Sequence, residues 1–164
     1  MLADQRLIAM THFQLCTSRL ALVGIATLAM VAPASALDYL SVATAATLYD
    51  APSVKAKPLY VIARDTPVEQ VVVVGAWVKI RDSAGDLLWV EKQMLAPKRT
   101  VIVKSERAKI HQEADDKATL VFEAEHDVVL DVLETAPVAP AGWVKLKHRT
   151  GQIGYARTKE VWGL

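Results

Sequence analysis

The sequence contains two copies of one pattern, and this internal repeat constrains the fold more than any other feature. Residues 77–80 (WVKI) are followed after four residues by a glycine and then by residues 86–90 (DLLWV). The same arrangement returns 66 residues later, from Trp143 onward, and an offset of 62 residues aligns the preceding segments. The four extra residues of the second copy are 137–140 (PVAP). Copies of about 60 residues predict two small domains of one fold.

Both copies are predicted to be all-β. Short apolar runs punctuated by Gly, Pro, Asp and Ser are typical of short strands joined by turns. Residues 82–85 (DSAG) and 148–151 (HRTG) are predicted hairpin turns, because glycine accommodates a positive φ there. Residues 104–117 have a helix-compatible composition, but their counterpart indicates strand and loop, so we predict a loop. The expected strands are residues 68–74, 77–81, 87–90, 127–133 and 143–147.

Alternation along the strands predicts which side chains face the core. Val78 and Ile80 share one face, which leaves Trp77 beside Lys79 on the polar face. Trp143 has the same place beside Lys145, so both tryptophans are predicted to be more exposed than the core residues; half-buried packing is favoured for each, and an exposed binding anchor is the alternative. A small barrel needs large side chains in its core. We expect these to include Trp89 and Tyr155, paired with Leu87 and Ile153.

Residues 1–36 are predicted to be a signal peptide. Arg19 precedes the apolar run 20–31, and residues 34–36 (ASA) follow a proline, so cleavage is expected after Ala36. As a helix the run would span about 18 Å, less than a bilayer core of roughly 30 Å. An uncleaved anchor is the alternative, and it is the one way in which we expect a membrane contact. The true start is Met1 or Met10, and the predicted location is the periplasm.

Charge and composition exclude several classes of function. Lys+Arg 19 against Asp+Glu 18 gives no basic field, so no nucleic-acid partner is expected. The one cysteine, Cys16, lies in the predicted leader, which leaves no Cys–His nucleophile for catalysis. No motif for a phosphate loop or a metalloprotease is present. We therefore expect no enzyme activity and no cofactor.

The second copy has acidic residues in its first half and basic residues in its second half. Neighbouring strands of a small barrel would pair these charges, although a basic strip for an anionic ligand is the alternative. The spacing of Asp115, Asp116, His126 and Asp127 does not bring three ligands onto one face, so no metal site is predicted. The basic residues are Lys145, Lys147, Arg149, Arg157 and Lys159.

Two units with WVKI, a glycine turn and a following strand resemble bacterial SH3 domains. The resemblance covers nearly all of residues 37–164 and implies two small SH3-like barrels in tandem, at 37–97 and 98–164. Residues 48–50 (LYD) are also similar to the opening motif of eukaryotic SH3 domains. The second copy has His111 for Tyr49 and Tyr155 for Trp89, so polyproline binding is not inferred for it.

The resemblance and the predicted leader point to a non-enzymatic periplasmic binding module. The expected partner is peptidoglycan, its stem peptides, or a peptide segment of an envelope protein. Two other functions are a structural adaptor, docking through a barrel edge or residues 100–103, and an enzyme of unrecognised type. The joining segment 99–103 could be rigid or a hinge. Repeat-matched aromatic residues are the best binding candidates. The predicted ligand-binding residues are Tyr49, Tyr60, Trp77, Trp143 and Lys145.

Overall fold

The computed structural model describes residues 38–136 and 138–164, and the predicted signal peptide lies outside these residues. Within them, regular structure consists of strands and two 3-10 turns, and no helix has the length and hydrophobicity needed to cross a membrane. The first seven strands are β1 (Asp38–Val42), β2 (Ala46–Tyr49), β3 (Pro58–Ile62), β4 (Pro67–Val74), β5 (Trp77–Arg81), β6 (Leu87–Glu91) and β7 (Leu95–Ala96). The next seven are β8 (Thr100–Val103), β9 (Arg107–His111), β10 (Leu120–Glu125), β11 (Val129–Glu134), β12 (Trp143–Lys147), β13 (Ile153–Arg157) and β14 (Val161–Trp162). The 3-10 turns are Lys92–Met94 and Thr158–Glu160.

The strands form two antiparallel sheets with the same strand order. That order is β3-β2-β6-β5-β4-β1-β7 in one and β10-β9-β13-β12-β11-β8-β14 in the other. We call strands β1–β7 barrel 1 and strands β8–β14 barrel 2. The matching topology confirms the predicted fold class of two small all-β units in tandem. The predicted division after residue 97 falls in the short segment between β7 and β8.

Each barrel has its own aliphatic core, supplied by alternate residues of its strands. Val78 and Ile80 are fully buried, as the alternation predicts. The core of barrel 1 is Val42, Ala46, Leu48, Ile62, Val68, Val78, Ile80, Leu88 and Val90. The core of barrel 2 is Val101, Val103, Ala108, Ile110, Ala124, Leu130, Val144, Leu146, Ala156 and Val161.

Two core predictions were wrong by one residue along a strand. Leu87 and Ile153 are exposed, and Leu88 faces the core in place of Leu87. Trp89 and Tyr155 are half-buried and lie on the outer side of the sheet. The aliphatic residues fill these small interiors, so the large rings pack across the outside of the strands.

The predicted loop at 104–117 was wrong in part, since residues 107–111 form strand β9. Arg107 and Lys109 are exposed while Ala108 and Ile110 are buried, which is the alternation of a strand with one solvent-exposed face and one buried face. The charged residues that suggested a helix are the outward positions of this strand. The two predicted hairpin turns are confirmed, with Gly85 and Gly151 both at φ 97°.

The barrels are joined by buried polar and aromatic contacts. The hydroxyl of Ser41 donates to the carbonyl oxygen of Lys98 at 2.8 Å, and the hydroxyl of Thr100 donates to the carbonyl oxygen of Asp65 at 2.8 Å. Tyr39 and Trp162 meet edge to face, with ring centroids 5.2 Å apart. All four residues of β8 are buried. The joining strand is therefore a buried part of one compact unit with both barrels, and the expectation that residues 100–103 could be a docking surface was wrong.

Candidate functional site

The outer side of barrel 1 carries a row of side chains that runs across four strands. Tyr49 on β2 pairs with Trp89 on β6, Trp89 with Lys79 on β5, and Lys79 with Val72 on β4. Residues paired in this way project on the same side of a sheet. The ammonium of Lys79 lies 5.8 Å from the centre of the Trp89 ring. The row therefore combines aromatic, aliphatic and cationic groups.

A second row lies beside the first. Trp77 on β5 pairs with Glu91 on β6 and with Val74 on β4. Its ring contacts Tyr49 edge to face, with centroids 5.5 Å apart, so the two rows are continuous. Trp77 is half-buried, which is the packing that the sequence favoured for it. We call Tyr49, Val72, Val74, Trp77, Lys79 and Trp89 together the aromatic face of barrel 1.

The equivalent face of barrel 2 has the same register with different charges. His111 pairs with Tyr155, Tyr155 with Lys145, and Lys145 with Glu134. The Lys145 ammonium lies 2.9 Å from a Glu134 carboxylate oxygen, and this hydrogen bond raises the pKa of Lys145. Glu134 thus occupies the position that Val72 has in barrel 1 and neutralises the lysine. Lys79 has no ion-pair partner in the described chain.

Trp143 is buried, with 5% of its surface exposed, so its predicted partial exposure was wrong. The Arg157 guanidinium lies over its ring, 4.1 Å from the ring centre. Arg157 donates to both carboxylate oxygens of Asp116, at 3.1 and 2.5 Å. This hydrogen bonding lowers the pKa of Asp116. The ring of His111 contacts Trp143 edge to face, with centroids 6.0 Å apart. Of the five predicted ligand-binding residues, Trp143 is the one that neighbouring side chains cover.

Tyr60 lies apart from the aromatic face. It is on the edge strand β3, and its hydroxyl donates to a carboxylate oxygen of Asp82 in the β5–β6 turn. Burial and this hydrogen bond both raise the pKa of Tyr60. The structure brings the predicted residues Tyr49 and Trp77 together in barrel 1, and Trp143 and Lys145 onto the equivalent face of barrel 2. Tyr60 joins neither group.

A cleft of about 630 Å³ lies where the barrels meet, and two of its acidic residues are paired with one lysine. Lys98 Nζ is 3.0 Å from Asp65 Oδ1 and 2.8 Å from Asp131 Oδ1. The hydrogen bond to Asp131 raises the pKa of Lys98. Of the five basic residues expected to be offset, Lys145 and Arg157 are paired with carboxylates, whereas the other three have no ion-pair partner among the described residues. In residues 38–136 and 138–164, no three His, Cys, Asp or Glu side chains are arranged to hold a metal ion.

Sequence reasoning missed several residues that define these faces. Trp89 was assigned to the core, and Lys79 and Val72 were not singled out. Arg157 and Asp116 were assigned only to a self-compensating surface. A comparison of the two copies position by position would have found them, because Arg157 aligns with Glu91 at the offset of 66 residues.

Comparison with known proteins gives one strong similarity. The family model for the bacterial SH3 domain matches the chain twice, at residues 42–97 and 104–163. A search of curated protein sequences found no match.

Several solved structures show weak similarity. NlpC1 from Trichomonas vaginalis is 16% identical, with a TM-score of 0.36, over 79% of this chain and 47% of its own. NlpC2 from the same organism is also 16% identical, with a TM-score of 0.35, over 77% of this chain and 48% of its own. An NlpC/P60 family protein from Bacillus cereus is 16% identical, with a TM-score of 0.32, over 76% of this chain and 55% of its own. The chain thus spans about half the length of these proteins. Because the family model covers most of both barrels in the same order, the chain belongs to the bacterial SH3 domain family.

Proposed function

We propose that this chain is a non-enzymatic binding module of the periplasm and that it recognises peptidoglycan through the aromatic face of barrel 1. The observation that carries the proposal is the contrast between the two equivalent faces. Barrel 1 presents half-exposed Tyr49, Trp77 and Trp89 with the unpaired cation of Lys79. In barrel 2 the positions of Tyr49 and Trp77 are buried, as His111 and Trp143, and the lysine is neutralised by Glu134.

The chemistry of the aromatic face suits a wall polymer. Aromatic side chains supply large, rigid contact area at binding surfaces, and exposed rings can lie against the apolar faces of sugars. Peptidoglycan also carries short peptides with free carboxylates, which an unpaired ammonium such as that of Lys79 can meet. A nearly neutral chain gives no long-range attraction, so binding must rest on these short-range contacts.

The proposal that the chain has no enzyme activity rests on its functional groups. Its single cysteine, Cys16, lies outside the barrels, so no Cys–His nucleophile can form on either one. Apart from Tyr39, whose pKa is raised mainly by burial, the titratable groups with shifted pKa values are engaged in ion pairs or in hydrogen bonds to neighbouring side chains.

Cosedimentation of purified residues 37–164 with insoluble peptidoglycan tests the proposal. Wild type should pellet with the polymer. Trp77→Ala should lose at least about tenfold in affinity, since truncation of a central aromatic anchor costs 2 kcal/mol or more. Lys79→Met should bind more weakly, and Lys147→Met, which removes a lysine on β12 outside both faces, is the matched control. Circular dichroism establishes that each variant is folded.

Two results would count against the proposal in different ways. Wild type that stays in the supernatant would refute wall binding. Wild type that pellets together with an equally bound Trp77→Ala variant would show that the binding surface lies elsewhere. An activity on muropeptides that a single polar substitution abolished would refute the non-enzymatic reading.

A structural adaptor is the second candidate function, and one observation favours it. Val71, Val72, Val73 and Val74 are consecutive, uncharged and between 42% and 50% exposed at the end of β4. An exposed apolar strand of this kind is a surface for another protein. Photo-crosslinking in cells from position 73 should then give a discrete adduct that position 54 does not give, although Val54 is 67% exposed and Val73 only 42%. Absence of that difference would remove the support for an adaptor.

A further inference from the structure

The loop that follows the second strand of each barrel has the same backbone hydrogen bonds in both copies. In barrel 1 the N–H of Asp50 donates to the carbonyl oxygen of Lys57 at 3.3 Å. In barrel 2 the N–H of Gln112 donates to the carbonyl oxygen of Thr119 at 2.9 Å. The inner turns match as well, so the two loops hold their side chains at equivalent places.

Two substitutions distinguish the surroundings of the paired tryptophans. The loop position of Asp116 in barrel 2 is occupied by Val54 in barrel 1, which is 67% exposed. The strand position opposite Trp143 is Arg157, whereas the position opposite Trp77 is Glu91. Barrel 1 therefore has neither member of the ion pair that lies over the tryptophan in barrel 2.

We propose that barrel 2 carries a covered counterpart of the aromatic face, and that the Arg157–Asp116 ion pair is its cover. The guanidinium is stacked on the indole of Trp143 and held there by two hydrogen bonds to Asp116. Beneath and beside it lie Tyr155 and Lys145, at the positions of Trp89 and Lys79. The class of ligand assigned to this second site is the one proposed for barrel 1, and that part rests on the proposed function.

The ion pair between Arg157 and Asp116 can open. The Asp116 side chain is 66% exposed, and ion pairs between solvent-exposed side chains are weak because water and salt screen them. A carboxylate on an incoming ligand can replace that of Asp116 on the guanidinium, since both make the same paired hydrogen bonds. Movement of the arginine then exposes the ring of Trp143.

The cover is tested by a measurement that needs no ligand. A soluble paramagnetic probe broadens the indole N–H signal of each tryptophan according to its exposure. In wild type the Trp143 signal should be protected and the Trp77 signal broadened. Exchanging the cover for the barrel 1 residues, Asp116→Val with Arg157→Glu, should increase relaxation at Trp143 severalfold, to the level of Trp77. Asp116→Asn, which removes only the charge, should produce part of this change.

The reverse exchange is an independent arm of the same test. Val54→Asp with Glu91→Arg should build the ion pair over Trp77 and protect its signal. If the opening exchange leaves Trp143 protected while the variant remains folded, the ion pair is not the cover and the inference is wrong. Failure of the reverse exchange to protect Trp77 would show that the pair alone is insufficient, which also contradicts it.

A binding experiment distinguishes failure of this inference from failure of the proposed function. If Trp77→Ala abolishes cosedimentation with peptidoglycan, the opening exchange combined with Glu134→Val, which removes the partner of Lys145, should restore it through barrel 2 in that background. If Trp143 becomes exposed but binding is not restored, the assignment of a second binding site is overturned. Wild type that never binds peptidoglycan would refute the proposed function and its ligand class, while the relaxation result would still decide whether the cover exists.

Discussion

Thr100 is the residue at which the joining of the two barrels can be tested most directly. It is 1% exposed, and its hydroxyl lies 2.8 Å from the carbonyl oxygen of Asp65 and 2.5 Å from the hydroxyl of Ser41. Thr100→Val keeps the shape of the side chain and removes the hydroxyl. The carbonyl of Asp65 then loses its donor, and a methyl group is placed against the oxygen of Ser41.

The cost follows from these contacts. A buried hydrogen bond contributes about 1 kcal/mol, and a buried acceptor left without a donor costs about 1–3 kcal/mol. We expect Thr100→Val to lower the free energy of unfolding by about 2 kcal/mol. With a urea dependence of about 2 kcal/mol/M, the midpoint of unfolding falls by about 1 M. The contacts of Tyr39 with Trp162 and of Ser41 with the Lys98 carbonyl remain, so both barrels should still unfold in one transition.

Urea unfolding of residues 37–164, followed by tryptophan fluorescence and circular dichroism, measures the effect. Thr119→Val, on an exposed loop, is the matched control and should change stability by less than about 0.5 kcal/mol. The double variant Ser41→Ala/Thr100→Val should be less destabilised than the sum of the single variants, because the two hydroxyls share one network. A Thr100→Val protein as stable as the control would refute the reasoning.

Three further predictions concern backbone and charge. Gly154→Ala should destabilise barrel 2 by about 1–3 kcal/mol in thermal unfolding, because its Cβ would lie 2.5 Å from Ile110 Cγ2 and 2.6 Å from a backbone oxygen. Asp127 has φ 64°, so Asp127→Ala should be less stable than Asp127→Gly by about 1 kcal/mol; equal stability would show that the backbone is unstrained. The pKa of Lys98 is raised by its bond to Asp131, so its stabilisation is complete below its ordinary value of 10.5 and is lost as pH rises through the folded-state value. The difference in stability between wild type and Lys98→Met should therefore shrink above that pH, and a difference that grew would contradict this.

The architecture could be predicted from the sequence because the same pattern of strands and turns occurs in two copies. Each strand signal is weak alone, but its return at a fixed offset identified the WVKI strands and their glycine turns. The alternation around Val78 and Ile80 correctly gave the core side of β5. The alternation in β9 was equally present, but the charged residues gave the segment a helix-compatible composition, and comparison with its counterpart led to the prediction of a loop.

The solvent exposure of the tryptophans could not be predicted in the same way. Trp77 and Trp143 have the same local sequence, so local reasoning gave them the same exposure. The difference comes from Arg157 and Asp116, which are 41 residues apart in the chain and meet through the pairing of a loop with a strand end. Contacts of this kind depend on the closed barrel and leave no periodic signal.

The packing of Tyr39 against Trp162 has a consequence for the order in which the molecule is completed. Tyr39 lies on the first described strand and Trp162 on the last, and a Cβ on Gly163 would come within 3.0 Å of Pro67 in barrel 1. Contacts between residues so far apart in the chain close late, because the intervening segment must be ordered first. As the chain is synthesised, barrel 1 emerges first, yet part of its surface is covered only when Trp162 has emerged. A ribosome that still holds Trp162 in its exit tunnel would therefore carry a first barrel with Tyr39 open to protease, and emergence of Trp162 would cover it.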